Sequence, residues 1–126
     1  MNDRFRFRAW NGKRLIYHIQ IKEGLPYYFV DALDMAGHGY YSEIKNAVIM
    51  QSTGLRDKNG VLIFEGDVVK FRDHPKPYRI AVIKWLVNES RFFFSAPDEI
   101  YPLRITNSVI IDKLGNKYEN PELLEQ

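Results

Sequence analysis

Between Met50 and Lys70 the chain reads MQSTGLRDKNGVLIFEGDVVK, and no other segment restricts the fold so tightly. Thr53-Gly54 predicts a bend, and Asp57-Lys58-Asn59-Gly60 predicts a tight turn whose Asn-Gly pair tolerates positive φ. Val61 to Phe64 then reads as a strand. At Glu65-Gly66-Asp67 the chain must reverse or bend again: Gly66 can take a conformation closed to other residues, and the Asp67 carboxylate can accept neighbouring backbone N–H bonds. Val68 to Phe71 resumes the sheet. Turn, strand, corner and strand in so short a stretch predict the start of a small SH3-like β-barrel.

The flanking sequence extends that pattern. Arg4 to Trp10, RFRFRAW, alternates strictly, placing Phe5, Phe7 and Ala9 on one face and Arg4, Arg6 and Arg8 on the other, which a helix could not do. Asn11-Gly12 offers a turn, and Leu15, Tyr17, Ile19 and Ile21 recur at period two, so a hairpin is predicted. Glu23-Gly24-Leu25-Pro26 breaks it. Tyr27 to Val30 is short and aromatic, Gly37-His38-Gly39 reads as a loop, and Tyr41 to Met50 reads as a short helical turn followed by a strand. Tyr78 to Val87 is apolar on both faces and predicts a central strand, returned by Asn88-Glu89-Ser90 into Arg91 to Phe94. Ile105 to Ile111 is a further β-branched run. Asn120-Pro121-Glu122 has the composition of a helix start and predicts a short C-terminal helix with Leu123 and Leu124 docked. The fold class is therefore mainly β, with a short C-terminal helix.

Composition narrows the chemistry. With no cysteine, a disulfide framework, a thiolate zinc site and a thiol nucleophile are excluded, and reducing cytosol is the expected compartment. The N-terminus lacks the apolar stretch of a secretory signal, and nowhere do enough apolar residues run together to span a bilayer, so no membrane insertion is expected. Net charge is only +2, but it is unevenly spread. Met1 to Lys22 holds six basic residues against Asp3 alone. Lys70 to Arg91 holds six against Asp73 and Glu89, and the tail from Asp112 is acidic.

Four pieces of the chain together resemble the YopX family of phage and prophage proteins: FRAW at Phe7 to Trp10, MQSTGLRDKNG at Met50 to Gly60, EGDVV at Glu65 to Val69, and YENPELL at Tyr118 to Leu124. Ile83 and Trp85 fit the family's valine-x-tryptophan-like strand. Ser52, Arg56, Leu114 and Lys117 depart from its pattern. The resemblance implies a mainly β protein with a small β-rich part over 1–49 and an SH3-like barrel or roll with its terminal helix over 50–126, as two parts or one compact unit, encoded by bacteriophages or prophages and acting inside the bacterial cell. It implies no catalytic roles for the motif residues.

Candidate sites can be read from the residues themselves. His18, His38 and His74 lie far apart without ligand spacing, so no metal and no cofactor is expected. Asp31, Asp34 and His38 read as solvated surface. Gly54, Asp57, Asn59, Gly60, Glu65, Gly66 and Asp67 read as turn chemistry rather than as paired catalytic carboxylates. The serines stand in no nucleophile-elbow context, and no enzyme activity is expected. Arg4, Arg6 and Arg8, with Lys13 and Arg14 past the turn and Trp10 and Tyr17 nearby, could follow a phosphate backbone and stack on bases. That face could equally be solvated, or paired with Glu119, Glu122 and Glu125. A non-catalytic interaction protein, binding itself or a protein partner through exposed aromatics or sheet edges, needs fewer assumptions. A nucleic-acid-binding barrel is the alternative.

Overall fold

A computed structural model describes residues 6–30, 39–73, 76–97, 103–105 and 110–125. The chain divides into two compact units, Arg6–Gln51 and a second that runs from Ser52 to the C-terminus.

In the first unit, β1 (Phe7–Trp10) pairs antiparallel with β2 (Leu15–Tyr17) and, on its other edge, with Val48–Gln51 of β6. Only Gly12 takes positive φ in the connecting turn; Asn11 instead accepts the Lys13 and Arg14 N–H groups on its side chain, both at 2.9 Å. The predicted Leu15 to Ile21 strand is broken. His18 adopts φ 57°, in the left-handed region, and splits it into β2 and β3 (Gln20–Lys22). Glu23 and Gly24, both at positive φ, turn β3 into β4 (Leu25–Val30), so Leu25 and Pro26 begin a strand instead of breaking one. β4 pairs with β5 (Tyr40–Glu43), giving a three-stranded sheet in the order β3-β4-β5. A turn at Lys45-Asn46 stands where a helical turn was expected. Ala9, Ile16, Ile19 and Ile44 form this unit's core, with Phe7, Tyr28 and Ala47 against it.

In the second unit, β6 (Val48–Arg56) continues through a bulge at Gly54, φ 80°, and its later residues pair with β7 (Leu62–Phe64). A curled antiparallel sheet comes next, in the order β11-β10-β9-β8-β12. Its members are β8 (Asp67–Asp73), β9 (Lys76–Leu86), β10 (Arg91–Ser95), β11 (Leu103–Arg104) and β12 (Ile110–Asn116). β9 lies between β8 and β10, where its two-sided apolar sequence placed it. Ile63, Val69, Phe71, Ala81, Ile83 and Phe94 fill the core on one face, and the Phe71 and Phe94 rings stack with centroids 4.0 Å apart.

Of the expected Ile105 to Ile111 run, residues 106–109 lie outside the described residues; β12 includes Ile110 and Ile111 and runs on through Gly115 and Asn116. The predicted helix is a single 3-10 turn, Pro121–Leu124, lying against β9 with Leu123 and Leu124 half-buried. The reason is visible at Asn120. Its side chain does not cap the turn after it; its Oδ1 accepts the Asn116 N–H at 3.2 Å, while Asn116 Oδ1 accepts the Tyr118 and Glu119 N–H groups. The polar groups are spent closing the turn before Pro121. A Cβ at Gly115 would lie 2.8 Å from Asn120 Cγ, so Gly115→Ala must displace that amide and break its bond. The expected cost is about 1–2 kcal/mol, checked by urea denaturation.

Candidate functional site

Among the described residues, the expected arginine face fails at Arg8. Arg8 has no exposed surface. It sits on a central strand, and its cross-strand neighbours are Tyr17 on β2 and Met50 on β6. Its guanidinium donates to Tyr17 Oη at 3.3 Å and to Met50 Sδ at 3.7 Å, and lies 5.9 Å from the Tyr17 ring centroid. Alternation correctly separated two faces, but both are covered, so the expectation of a solvent-facing Arg8 is corrected. A buried guanidinium held in this way is a structural cation. Arg8→Ala is accordingly expected to lower stability by about 2–3 kcal/mol, read as a lower denaturation midpoint. Arg6 and Trp10 are half-buried, Lys13 and Arg14 are exposed on the β1–β2 turn, and Arg4 lies outside the described residues. So do Asp31, Asp34, His38 and His74.

The motif carboxylates are bound to backbone. Asp57 Oδ1 accepts the N–H groups of Asn59 at 2.8 Å and Val61 at 2.9 Å, and its Oδ2 accepts Lys113 N–H at 3.0 Å, tying the turn to β12. Gly60, φ 84°, closes the turn by donating to Asp57 O, and Asn59 Nδ2 reaches Asp112 Oδ1 at 2.8 Å. Burial opposes the Asp57 charge, but the three N–H donors, helped by the Lys113 ammonium, outweigh it and hold the pKa below its ordinary value. Asp67 is fully buried. Its Oδ2 accepts Phe64 N–H at 2.8 Å across the Glu65-Gly66 corner, where Gly66 takes φ 89°, and its Oδ1 lies 3.4 Å from Lys113 Nζ. Lys113 thus links both carboxylates to one strand. Among the described residues, no three histidine or acidic side chains come together as metal ligands.

An open surface occurs instead on the β3-β4-β5 sheet. Pairing places Gln20 opposite Tyr27, Lys22 opposite Leu25, Tyr27 opposite Glu43 and Phe29 opposite Tyr41, so these side chains share one face. The other face carries Pro26 and Tyr28 toward the core. Leu25 is 44% exposed, and Phe29 and Tyr41 are each 53% exposed. The Phe29 and Tyr41 rings meet edge-on at 5.4 Å, and Gln20 Nε2 donates to Tyr41 Oη at 3.2 Å. Gln20, Lys22, Tyr27 and Tyr41 surround a shallow depression of about 270 Å³. Sequence reasoning did not single out these residues. The alternation Leu25, Tyr27, Phe29 was the available signal, obscured because Leu25-Pro26 reads as a break.

Residues 6–125 match a family model described as YopX protein. Two solved structures resemble the chain over nearly its whole length. Protein EF1440 from Enterococcus faecalis is 26% identical, with 94% of this chain and 96% of that one covered and a TM-score of 0.58. Protein yopX from Bacillus subtilis is 19% identical, with coverages of 98% and 99% and a TM-score of 0.60, a likeness of fold. No curated protein matches the sequence.

Proposed function

This chain belongs to the YopX family, and on that premise we propose that it is a non-catalytic protein-interaction module whose working surface is the open aromatic face of β3, β4 and β5. The observation that carries the proposal is the exposure of Leu25, Phe29 and Tyr41 on one face of the sheet, with Phe29 and Tyr41 side by side, while Tyr28 turns the other way to pack on the core. Covering the exposed part of each would contribute roughly 2 kcal/mol at about 25 cal/mol per Å², and aromatic side chains are frequent anchors at interfaces. Within this proposal the protein is phage- or prophage-encoded, acts in the cytoplasm of a bacterial host, and has its second unit built as an SH3-like roll. The absence of cysteine agrees with a reducing compartment. The alternative, nucleic acid on the arginine strand, loses Arg8 to burial.

The test is photocrosslinking in bacterial cells with benzoylphenylalanine placed at Phe29 or Tyr41, and at Trp85 as an exposed aromatic control in the other unit. One protein adduct of fixed mass is expected from Phe29 and Tyr41 and not from Trp85. No adduct, or the same adducts from all three positions, contradicts the proposal.

A further inference from the structure

If the aromatic face of the β3-β4-β5 sheet is an interaction surface, as proposed, the free edge of the same sheet restricts which partner it takes. Ile21 lies opposite Pro26. Pro26 has no N–H to donate, and its carbonyl accepts Ile44 N–H at 2.9 Å, beyond the end of β5. In an antiparallel ladder the N–H and C=O of one residue point to the same neighbour. Ile21 and Pro26 are therefore a non-hydrogen-bonded pair, and the N–H and C=O of Ile21 point out from the free edge of β3, where no described strand pairs. All three β3 residues are exposed. The end strands of the five-stranded sheet are less apt. β12 is interrupted by two register shifts and already accepts Lys58 N–H on Ile111 O, while β11 is two residues long.

The depression beside that edge has a definite chemistry. Lys22 supplies an ammonium, Gln20 an amide, and Tyr27 and Tyr41 hydroxyls; every one of these groups can donate a hydrogen bond, and among the described residues no carboxylate lines the hollow. Glu43, on the same face, is engaged by Lys45 at 3.4 Å. A hollow of side-chain size lined by donors suits an anion. One lysine is too little for a phosphate backbone, whose affinity grows with each cation engaged. It is enough for one carboxylate.

We propose that β3 receives an extended acidic segment of a partner protein, which adds as an edge strand through the Ile21 backbone and seats an Asp or Glu carboxylate on Lys22. Main-chain bonds then supply affinity, and the Lys22 hollow reads alternate side chains.

Fluorescence anisotropy with a labelled octapeptide alternating Glu and Val tests this, against its Lys-Val counterpart and a labelled oligothymidylate. The Glu-Val peptide is expected to bind and the other two not. Lys22→Glu should weaken binding at least about tenfold while leaving the melting temperature unchanged, because Lys22 is exposed. Saturation should slow amide exchange at Ile21 about tenfold. Equal binding of both peptides, oligothymidylate binding lost in Lys22→Glu, or an Ile21 amide that stays unprotected overturns the inference. If the Tyr41 crosslink forms but the acidic peptide does not bind, only this inference falls; if the crosslink also fails, so does the interaction proposal.

Discussion

Asp67→Ala is expected to destabilise the protein by about 3–5 kcal/mol, the range for removing one partner of a buried ion pair. Two losses coincide. The Phe64 N–H loses its acceptor at 2.8 Å, the bond that closes the Glu65-Gly66 corner, and the Lys113 ammonium loses its counter-charge at 3.4 Å. For a chain of this size the melting temperature should fall by about 15 °C. Asp67→Asn keeps an acceptor for Phe64 but not the charge, and should recover part of the loss. A catalytic Asp67 would behave oppositely, since removing a buried carboxylate held for chemistry commonly leaves stability unchanged or raised.

The second large effect is at Asp57, and it carries a pH signature. Asp57→Ala strips the acceptor from Asn59, Val61 and Lys113 N–H groups at once. It should cost about 3 kcal/mol. The folded pKa of Asp57 is lowered, so the folded state binds the proton less readily than the unfolded chain. Its contribution is therefore fully present above the unfolded carboxylate pKa of about 4 and is lost as pH falls through the lower folded value. Denaturation midpoints measured from pH 6 downward should decline less steeply in Asp57→Asn than in the parent. Parallel declines would show that Asp57 is not the linked group.

These two carboxylates explain why the most recognisable part of the sequence was legible as structure. Asp57 Oδ1 and Asp67 Oδ2 accept N–H groups close in the chain, and that local chemistry can be read without knowing the fold. What required the third dimension was missed. Alternation through RFRFRAW fixes which side chains share a face, but β1 has a strand on both edges and its Arg8 face is also buried, which period two does not encode. His18 ends β2 with a left-handed backbone in the middle of an unbroken apolar alternation. The extension of β12 through Gly115 and Asn116 follows from pairing with β8 and the Asp57 bond to Lys113, partners distant in sequence. Asn120 looked like a helix cap, yet its side chain turns back to Asn116.

The candidate site was the least legible feature. Leu25, Tyr27 and Phe29 become a face only when Gln20, Lys22 and Tyr41 are paired beside them, and segments of the chain outside each strand decide whether that face is covered. The turn carboxylates Asp57 and Asp67 and the proposed binding face thus lie in different units. Damage to the first should remove stability and damage to the second should remove partner binding.

The most direct test of that separation is co-purification of the crosslinked partner with the double variant Phe29→Asp/Tyr41→Asp. Both side chains are about half exposed and half packed, so the variant should stay folded, with a melting temperature lowered by about 10–15 °C, while retaining no partner. Retention of the partner at parental stoichiometry by a folded double variant would contradict the account.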